Sequence, residues 1–421
     1  MQVRFYTLGC KVNQYEAQAL RDLFAAEGFA PVEEGTAQVY IVSSCAVTAV
    51  AGRKTRQTVR RLRSENPGAV IALIGCLPQA FPDEAGLAEA DIVTGTYERA
   101  RLPELVRGFL SDGKRRVKIM PHAAQAPFEV LTPPCFDGRY QRAYLKVEDG
   151  CDRFCAYCAV PLARGPVRSL PLNDVAREAA ILGRQYAELV LTGVNLSRYG
   201  ADLGLSLPDA VLAAAQSAPG ARLRLGSIEP DLLSHDDYRR LAEMPSLCPH
   251  FHLAAQSGCD ATLARMGRRY DAAWLLETAA YIRRRWDNPS ITLDLIAGFP
   301  GETEMEFLET CRLVESLGIL RAHVFPYSSR PGTAAASMSG QVSDCEKKRR
   351  AAHLSALCHR EGERFAQSQV DKIVRILPEA TGGGYADNYL YVTPQGVSVP
   401  GALMSVHLTG VDQTGCTGVI L

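Results

Sequence analysis

Residues 143–158 read AYLKVEDGCDRFCAYC, an apolar run that leads directly into three closely spaced cysteines. The run Ala143–Val147 predicts a buried strand, so Cys151, Cys155 and Cys158 (the loop trio) fall in the loop beyond its carboxyl end. Three such thiolates are suited to hold three irons of a four-iron cluster and leave the fourth iron open. An open metal position can bind a cofactor or a substrate. The segment therefore predicts an iron–sulfur site, with a zinc site and three unrelated thiols as the alternatives.

The chain beyond this loop alternates short apolar runs with amphipathic stretches, which is the pattern of repeated β/α units. Six units are too few for an eight-stranded barrel and fit a partial (β/α)6 barrel, which we place at residues 137–365. Chemistry is expected at the carboxyl ends of its strands. After Ala143–Val147, the predicted strands are Leu189–Thr192, Arg222–Leu225, His250–Ala254, Ile291–Ile296 and Arg321–Phe325. The predicted helices are Leu172–Tyr186, Leu207–Ser217, Asp236–Glu243, Ala272–Arg285 and Glu304–Leu317.

The N-terminal residues 1–118 show a similar alternation, which predicts a doubly wound parallel sheet. Each of its predicted strands is followed by a cysteine, and these are Cys10, Cys45 and Cys76 (the N-terminal trio). Ligands of open parallel sheets sit beyond the carboxyl ends of the strands, so cysteines far apart in the chain can converge there. The predicted strands are Val3–Leu8, Val39–Ser43 and Val70–Ile74, and the predicted helices are Gln14–Ala26 and Val50–Glu65.

Three other stretches differ in composition from these β/α regions. Residues 119–136 are rich in Ala and Pro and lack periodicity, so they predict a linker in which Cys135 is incidental. Ser343–Gln369 predicts a charged helix. Residues 366–421 predict a small all-β barrel, because short alternating runs are separated by Gly-rich turns. These runs are Lys372–Leu377, Asn388–Val392 and Leu403–Leu408.

The overall composition excludes some classes of protein. The 421 residues carry 46 basic and 46 acidic side chains. This balance excludes a histone-like protein whose whole surface is basic, but it allows a local basic surface. No signal peptide or membrane-spanning run is evident, so we expect a cytoplasmic protein. Thirteen cysteines, an odd number, indicate metal or redox chemistry rather than a disulfide framework. Buried structural roles are expected for Cys248, Cys259, Cys311, Cys345, Cys358 and Cys416.

The Cys-x-x-x-Cys-x-x-Cys loop resembles that of the radical S-adenosylmethionine (SAM) superfamily, and the resemblance extends along nearly the whole chain. Thr7–Asn13, Ser44–Thr48 and Gly75-Cys76 look like the signatures of the methylthiotransferase N-terminal domain. Gly384–Tyr389 resembles the opening of the small RNA-binding domain called TRAM. The radical SAM part is matched by Lys146–Cys151, Leu191–Gly193, Ser227–Pro230, Gln256–Gly258 and Gly298–Thr303.

This resemblance implies an enzyme with two [4Fe–4S] clusters and S-adenosyl-L-methionine as cofactors. The N-terminal trio would hold one cluster and the loop trio the other, each with an open iron. One SAM would give its methyl group to a sulfur at the first cluster. A second SAM, cleaved reductively at the other cluster, would yield the radical that abstracts hydrogen from the target carbon before methylthio transfer. No catalytic residue beyond the cluster and SAM ligands is expected.

The resemblance and the strand ends together predict residues that contact SAM. Tyr157 matches the aromatic side chain that the superfamily places near the adenine. Gly193 would let the SAM amino group approach the backbone, although it also suits an ordinary strand-ending turn. Ser227 and Glu229 are suited to bind the ribose hydroxyls, and Glu229 before a proline is equally a plain helix start. Gly298 opens a turn that would face the adenine, or an ordinary βα turn. The predicted set is Tyr157, Gly193, Ser227, Glu229, Gln256 and Gly298.

Two positions bear on the substrate. Lys11-Val12 resembles the branch that acts on threonylcarbamoyladenosine, because the isopentenyladenosine branch typically has Gln-Met there. Asp294 fits the tRNA-acting branches, because the branch that modifies a ribosomal protein usually lacks an acid there. The resemblance thus implies conversion of N6-threonylcarbamoyladenosine at position 37, in the anticodon loop of tRNA, to its 2-methylthio derivative. An electron donor protein and a sulfur source of unknown identity are implied partners.

Four alternatives remain at this point. The substrate is isopentenyladenosine in tRNA, or it is a ribosomal protein. Otherwise the chain performs radical SAM chemistry of another kind, without a cluster at Cys10, Cys45 and Cys76, or it is a non-enzymatic iron–sulfur RNA-binding or electron-carrier protein. Arg53 and Arg56 belong to a basic stretch without acids, residues 50–64, which predicts either an RNA contact or a solvated helix face. Residues 370–421 contain only Lys372 and Arg375 as basic residues. This domain is therefore not expected to supply most of the electrostatic attraction to RNA. Bases would instead stack on Tyr385, Tyr389 and Tyr391.

Overall fold

The computed structural model describes residues 1–83, 88–123, 126–131 and 141–421, which form two compact units. Because Glu148–Leu170 belongs to the first unit, the loop trio and the N-terminal trio lie in the same unit. The region boundaries given above stay predictions, and part of the predicted linker, including Cys135, lies outside the described residues. The first unit consists of Met1–Cys135, Glu148–Leu170 and Ser328–Ala336, and the second of Phe136–Val147, Pro171–Tyr327 and Ser337–Leu421.

The first unit is built on a six-stranded parallel sheet in the order β2-β1-β3-β4-β5-β6. This is a doubly wound, flavodoxin-like order, so the predicted fold class is confirmed. The strands are β1 (Gln2–Thr7), β2 (Ala30–Val32), β3 (Val39–Ser44), β4 (Val70–Gly75), β5 (Ile92–Thr94) and β6 (Arg116–Lys118). The helices are α1 (Lys11–Ala26), α2 (Ala49–Glu65), α3 (Cys76–Ala80) and α4 (Leu102–Asp112).

Both faces of this sheet are covered, which is why its central strands are continuous apolar runs. Alternate residues of β3 point to opposite faces. Val39 and Ile41 pack in the cluster that contains residues of α1 and α4, whereas Tyr40 and Val42 pack with residues of α2. The short strands β2, β5 and β6 were not predicted, because three residues are too few for a periodic signal.

The chain enters the second unit with β7 (Arg142–Lys146) and returns at once to the first unit. There it forms β8 (Glu148–Asp149), α5 (Val160–Arg164) and β9 (Arg168–Ser169). Strand β8 pairs antiparallel with β9. This pairing closes the base of the loop that carries the loop trio.

The second unit contains two parallel sheets, β11-β10-β7 and β12-β13-β14-β15. All six predicted strands of the partial barrel are present, and a short strand that was not predicted, β12, follows the third of them after Gly226. The strands after β9 are β10 (Glu188–Thr192), β11 (Arg222–Leu225), β12 (Ser227–Ile228), β13 (His250–Gln256), β14 (Ser290–Ala297) and β15 (Arg321–Pro326). The helices are α6 (Leu172–Gly183), α7 (Leu207–Ser217), α8 (His235–Ala242), α9 (Asp260–Arg265), α10 (Ala272–Arg285), α11 (Glu304–Leu317) and α12 (Asp344–Gln367). Among the helices of the described residues, none is long and apolar enough to cross a bilayer.

The C-terminal residues form a closed barrel in the order β16-β17-β18-β20-β19, as expected from the alternating runs. The predicted strand Asn388–Val392 is misplaced, because Tyr389 adopts a left-handed φ of 67° and the strand begins only at Tyr391. Two glycine-containing strands were not predicted, since glycine weakens the strand signal. The strands are β16 (Ile373–Pro378), β17 (Gly384–Ala386), β18 (Tyr391–Gln395), β19 (Met404–Val411) and β20 (Cys416–Ile420).

The cysteines outside the two trios are mostly buried, as predicted. Cys345 is the exception among those described, because it lies exposed in the first turn of α12. The prediction of a buried role is therefore wrong for Cys345. The buried ones are Cys248, Cys259, Cys311, Cys358 and Cys416.

Candidate functional site

The N-terminal trio lies at the carboxyl edge of the first sheet, around the point where the strand order changes between β1 and β3. Cys10 caps α1 after β1, Cys45 follows β3, and Cys76 begins α3 directly after β4. The loops approach closely, since a Cβ atom added to Gly9 would lie 3.1 Å from the Cβ of Cys45. Doubly wound sheets bind ligands at this switch point. The structure thus brings the three cysteines to the location that the sequence predicts.

The electrostatics of these thiols suit a metal cluster. Burial, reinforced by the nearby Cys76 thiol, raises the pKa of the Cys45 thiol to about 12. Burial also raises the pKa of Cys76. Because thiols bind metals as thiolates, they need positive charge beside them to ionise here, and the irons of a cluster would supply it. In the described part of the chain, no three His, Cys, Asp or Glu side chains are grouped to hold a single metal ion.

Arg164, the last residue of α5, provides one positive charge at this site. Its Nε donates a hydrogen bond to Cys76 Sγ at 3.2 Å. Its Nη2 donates to Asn13 Oδ1 at 3.3 Å, and the same oxygen accepts from Cys10 Sγ at 3.4 Å. Burial by itself lowers the pKa of the Arg164 guanidinium, but Cys76, Glu16 and Asp149 raise it well above its ordinary value. This arginine is therefore charged and contacts the trio directly and through Asn13.

The guanidinium of Arg164 belongs to a buried ion-pair network. Glu16 accepts from it at 2.5 and 3.0 Å in a bidentate geometry, and Asp149 accepts at 3.3 Å. Arg99 contacts the same carboxylates, at 2.9 Å for Glu16 and 3.7 Å for Asp149. Arg168 lies 3.4 Å from Asp149 and donates to the Arg164 carbonyl. Such a network fixes its members, because removing one partner leaves buried charges uncompensated.

The loop trio is held by a tight backbone arrangement. Gly150 has a φ of 100°, and a Cβ atom at this position would lie 1.9 Å from the Pro166 carbonyl oxygen. The Cys151 amide donates to the Gly165 carbonyl at 3.0 Å. The Cys158 amide donates to the Cys155 carbonyl at 3.0 Å, which closes a turn just before α5. Only glycine fits the close approach at residue 150, so the sequence Gly150-Cys151 is dictated by the loop itself.

The residues predicted to contact SAM occupy the expected kinds of position. Tyr157 is half-buried within the loop in the first unit. The other five lie in the second unit. Gly193, Glu229 and Gly298 directly follow a parallel strand, Gln256 ends one, and Ser227 begins β12 one residue after β11. Gln256 and Gly298 have left-handed φ values of 63° and 75°, which turn the chain sharply there. Their roles toward SAM stay predictions. In chain order the five are Gly193, Ser227, Glu229, Gln256 and Gly298.

Glu229 has a partner that the sequence did not predict. Its Oε1 accepts a hydrogen bond from Arg268 Nη1 at 2.5 Å, and both side chains are buried. If Glu229 binds the ribose hydroxyls, Arg268 orients its carboxylate for that contact.

The predicted substrate residues belong to different units, Arg53 and Arg56 to the first and Asp294 to the second. Asp294, on β14, pairs with His252 Nε2 at 3.0 Å. Arg53 is exposed on α2, and Arg56 is half-buried there. Farther along α2, Arg60 pairs with Glu89. The predicted RNA contact of this helix stays a prediction.

Sequence reasoning missed the residues that surround the N-terminal trio. Asn13 belonged to a quoted motif but was given no role, and Arg164, Glu16 and Asp149 were not singled out. The position of Arg164 after the loop trio was the one available hint. No local pattern distinguishes an arginine that is buried against distant carboxylates from one at an exposed helix end.

Comparison with known proteins gives the family. The profile of the Radical SAM superfamily matches residues 145–314, and that of the uncharacterized protein family UPF0004 matches residues 2–95. The chain is 38% identical over 380 residues to the threonylcarbamoyladenosine tRNA methylthiotransferase MtaB of Thermotoga maritima, covering 90% of this chain and 86% of that protein. It is 30% identical over 433 residues to the tRNA-2-methylthio-N(6)-dimethylallyladenosine synthase of Symbiobacterium thermophilum. This match covers 97% of this chain and 92% of that protein.

A solved structure shares the fold. The radical SAM methyltransferase TsrM of Kitasatospora setae, with cobalamin and a [4Fe–4S] cluster bound, is similar at a TM-score of 0.58 and 13% identity, covering 80% of this chain and 74% of that one. The fold, the cysteine loop and the extended sequence similarity agree with one another. The chain therefore belongs to the radical SAM methylthiotransferase family, whose members transfer a sulfur-containing group with the help of a [4Fe–4S] cluster and SAM.

Proposed function

We propose that this protein is a tRNA methylthiotransferase that carries two [4Fe–4S] clusters and converts N6-threonylcarbamoyladenosine at position 37 to its 2-methylthio derivative. The observation that carries the proposal is the convergence of Cys10, Cys45 and Cys76 at the switch point of the first sheet, in the same unit as the loop trio. A single cluster for SAM cleavage does not require this second set of thiols. Their site suits a sulfur-bearing cluster, because the Cys45 and Cys76 thiols are buried and Cys76 lies beside the cationic side chain of Arg164.

The residues of this chain then have distinct tasks. When bound, the two clusters and SAM supply radical chemistry at an unactivated C–H bond, which acid–base groups cannot reach. The loop trio would ligate the cluster that binds SAM, and the N-terminal trio would ligate the cluster at which sulfur is available. The strand ends of the second unit, at Gly193, Ser227, Glu229, Gln256 and Gly298, would orient SAM. The buried arginines and carboxylates beside Cys76 would keep the site rigid and exclude water.

The choice of substrate rests on similarity to named relatives and on two positions. The relative named for threonylcarbamoyladenosine is 38% identical to this chain, against 30% for the relative named for dimethylallyladenosine. Lys11-Val12 resembles the former branch, and Asp294 fits the tRNA-acting branches as opposed to the one that modifies a ribosomal protein. The tRNA anticodon loop is the proposed macromolecular partner, together with an electron donor protein and a sulfur source whose identities are open.

Two measurements test the proposal. Iron and sulfide analysis of anaerobically purified protein should give about eight of each per chain, whereas about four would contradict two clusters. Nucleoside analysis of tRNA should show that deletion of the gene abolishes 2-methylthio-threonylcarbamoyladenosine and leaves its unmethylthiolated precursor. An unchanged level of that nucleoside, or loss of the isopentenyladenosine derivative instead, would contradict the proposed substrate.

A further inference from the structure

Two consecutive residues, Arg164 and Gly165, contact the two cysteine loops of the first unit. The Arg164 guanidinium donates to Cys76 Sγ at 3.2 Å, and the next residue, Gly165, accepts the Cys151 amide hydrogen at 3.0 Å. The segment that carries Arg164 also packs against Cys76. Ala159 and Ala163 of this segment form one apolar cluster with Cys76 and the first helix residues after it. Movement of Arg164 would therefore disturb Cys76 and the backbone at Cys151 together.

Hydrogen bonds to ligating sulfurs change the chemistry of iron–sulfur clusters. A reduced cluster carries one more negative charge than an oxidised one, so a cationic donor to a ligand sulfur stabilises the reduced form and raises the reduction potential. The effect is larger where solvent does not screen the charge. The Arg164 and Cys76 side chains are both nearly inaccessible to solvent, at 2% and 7% exposure. The conditions for such tuning are met at this pair.

We propose that Arg164 is a positioning residue that tunes the reduction potential of the cluster held by the N-terminal trio. This inference rests on the two-cluster function proposed above. Glu16 holds the guanidinium in a bidentate geometry that leaves Nε directed at Cys76. Lysine lacks this fork and cannot satisfy the carboxylate and the sulfur in the same way.

The chain offers a matched control in Arg99. It is as deeply buried as Arg164 and contacts the same carboxylates, Glu16 and Asp149. Within the described residues, no hydrogen bond joins Arg99 to a cysteine. Substitution of either arginine removes one buried charge from the same network, but only substitution of Arg164 removes a donor to a ligand sulfur.

The experiment uses the full chain with Cys151, Cys155 and Cys158 each replaced by Ala, so that the N-terminal trio is the remaining cluster site. Arg164→Gln, Arg164→Lys and Arg99→Gln are introduced into this parent. Electron paramagnetic resonance at poised potentials gives the ratio of reduced to oxidised cluster, and iron analysis gives occupancy. Circular dichroism shows whether each variant is folded.

We expect Arg164→Gln to lower the ratio of reduced to oxidised cluster about tenfold at a given potential, which equals about 59 mV for a one-electron couple. The ratio for Arg164→Lys should lie between those of Arg164→Gln and the parent, and the ratio for Arg99→Gln should stay near that of the parent. Loss of iron from Arg164→Gln with full iron in Arg99→Gln also supports the proposal. The proposal is overturned if Arg164→Gln, Arg99→Gln and the parent have equal reduction potentials and equal iron contents. It is also overturned if the two glutamine variants lose equal amounts of iron. A parent without iron overturns the two-cluster function itself, and this inference with it.

Discussion

Glu188 Oε2 accepts a hydrogen bond from Arg222 Nε at 2.6 Å, and both side chains are almost completely buried. Arg224 Nε donates to the other carboxylate oxygen at 3.0 Å. The outer nitrogens of the two arginines donate to backbone carbonyls of the C-terminal barrel, at Arg375, Tyr385, Ala386 and Asp387. One buried carboxylate thus orients two arginines that hold this barrel within the second unit.

Glu188→Gln should destabilise the second unit strongly. The variant removes the carboxylate that Arg222 and Arg224 share and leaves Arg222 with Asp387 Oδ1 at 2.6 Å, and breaking a buried pair in this way costs about 3–5 kcal/mol. Thermal or urea unfolding of the two proteins would measure the loss. Asp236→Asn is the matched control, because Asp236 pairs with Arg239 on the exposed surface and should change stability far less. Equal stability of wild type and Glu188→Gln would refute the anchoring role.

The same carboxylate should shape stability at acidic pH. Burial alone raises the pKa of Glu188, but Arg224 and Arg222 hold it well below its ordinary value. A group with a lowered folded-state pKa stabilises the fold above its unfolded pKa, about 4.3, and loses this contribution as the pH falls through the folded value. The difference in Tm between wild type and Glu188→Gln should therefore be constant down to about pH 5 and shrink below about pH 4. A difference that grows on acidification would contradict this assignment.

Gly150→Ala should displace the loop trio. Its φ of 100° is unfavourable for alanine, and the new Cβ would meet the carbonyl oxygens of Pro166 and Gly165 at 1.9 and 2.8 Å. We expect loss of about four irons per chain and of SAM cleavage, measured by iron analysis and by formation of 5′-deoxyadenosine. Gly68→Ala is the control, since nothing lies within 4 Å of a Cβ atom there. Full iron in Gly150→Ala would show that the loop tolerates the side chain.

Cys45→Ala and Cys155→Ala should separate the two proposed clusters. Each variant should lose about four irons per chain, but only Cys155→Ala should lose SAM cleavage. Cys248→Ala is the control, because Cys248 is equally buried but lies outside both trios. Iron analysis with 5′-deoxyadenosine assays would distinguish them. If Cys45→Ala kept all its iron, the second cluster would have no support.

Arg53→Gln tests the predicted RNA contact of α2. Loss of one phosphate contact should weaken tRNA binding and reduce the slope of log K against log salt by about one. Arg60→Gln on the same helix is the control, because Arg60 already pairs with Glu89 at 3.0 Å. Binding isotherms at several salt concentrations would measure both variants. An unchanged slope for Arg53→Gln would mean that this part of α2 is a solvated face.

Long, strongly patterned elements were predictable from the sequence. The bounds of Ala272–Arg285 and Glu304–Leu317 agree with the structure, because helical periodicity persists through the whole of each segment. Elements of three residues carry no such signal, as β2, β5 and β6 show. The strand predicted at Asn388–Val392 failed for another reason, since the left-handed Tyr389 interrupts an apolar run that looks continuous in sequence.

The sequence by itself determined where the six cysteines lie. Each is in the segment that follows an apolar run predicted to be a strand, and parallel strands place their carboxyl ends at one edge of a sheet. Only the tertiary structure decided what surrounds them. Arg164 meets Cys76 across 88 residues of chain and Glu16 across 148. Strand and helix patterns are local and leave a periodic signal in sequence, whereas a buried ion pair depends on which distant loops pack together.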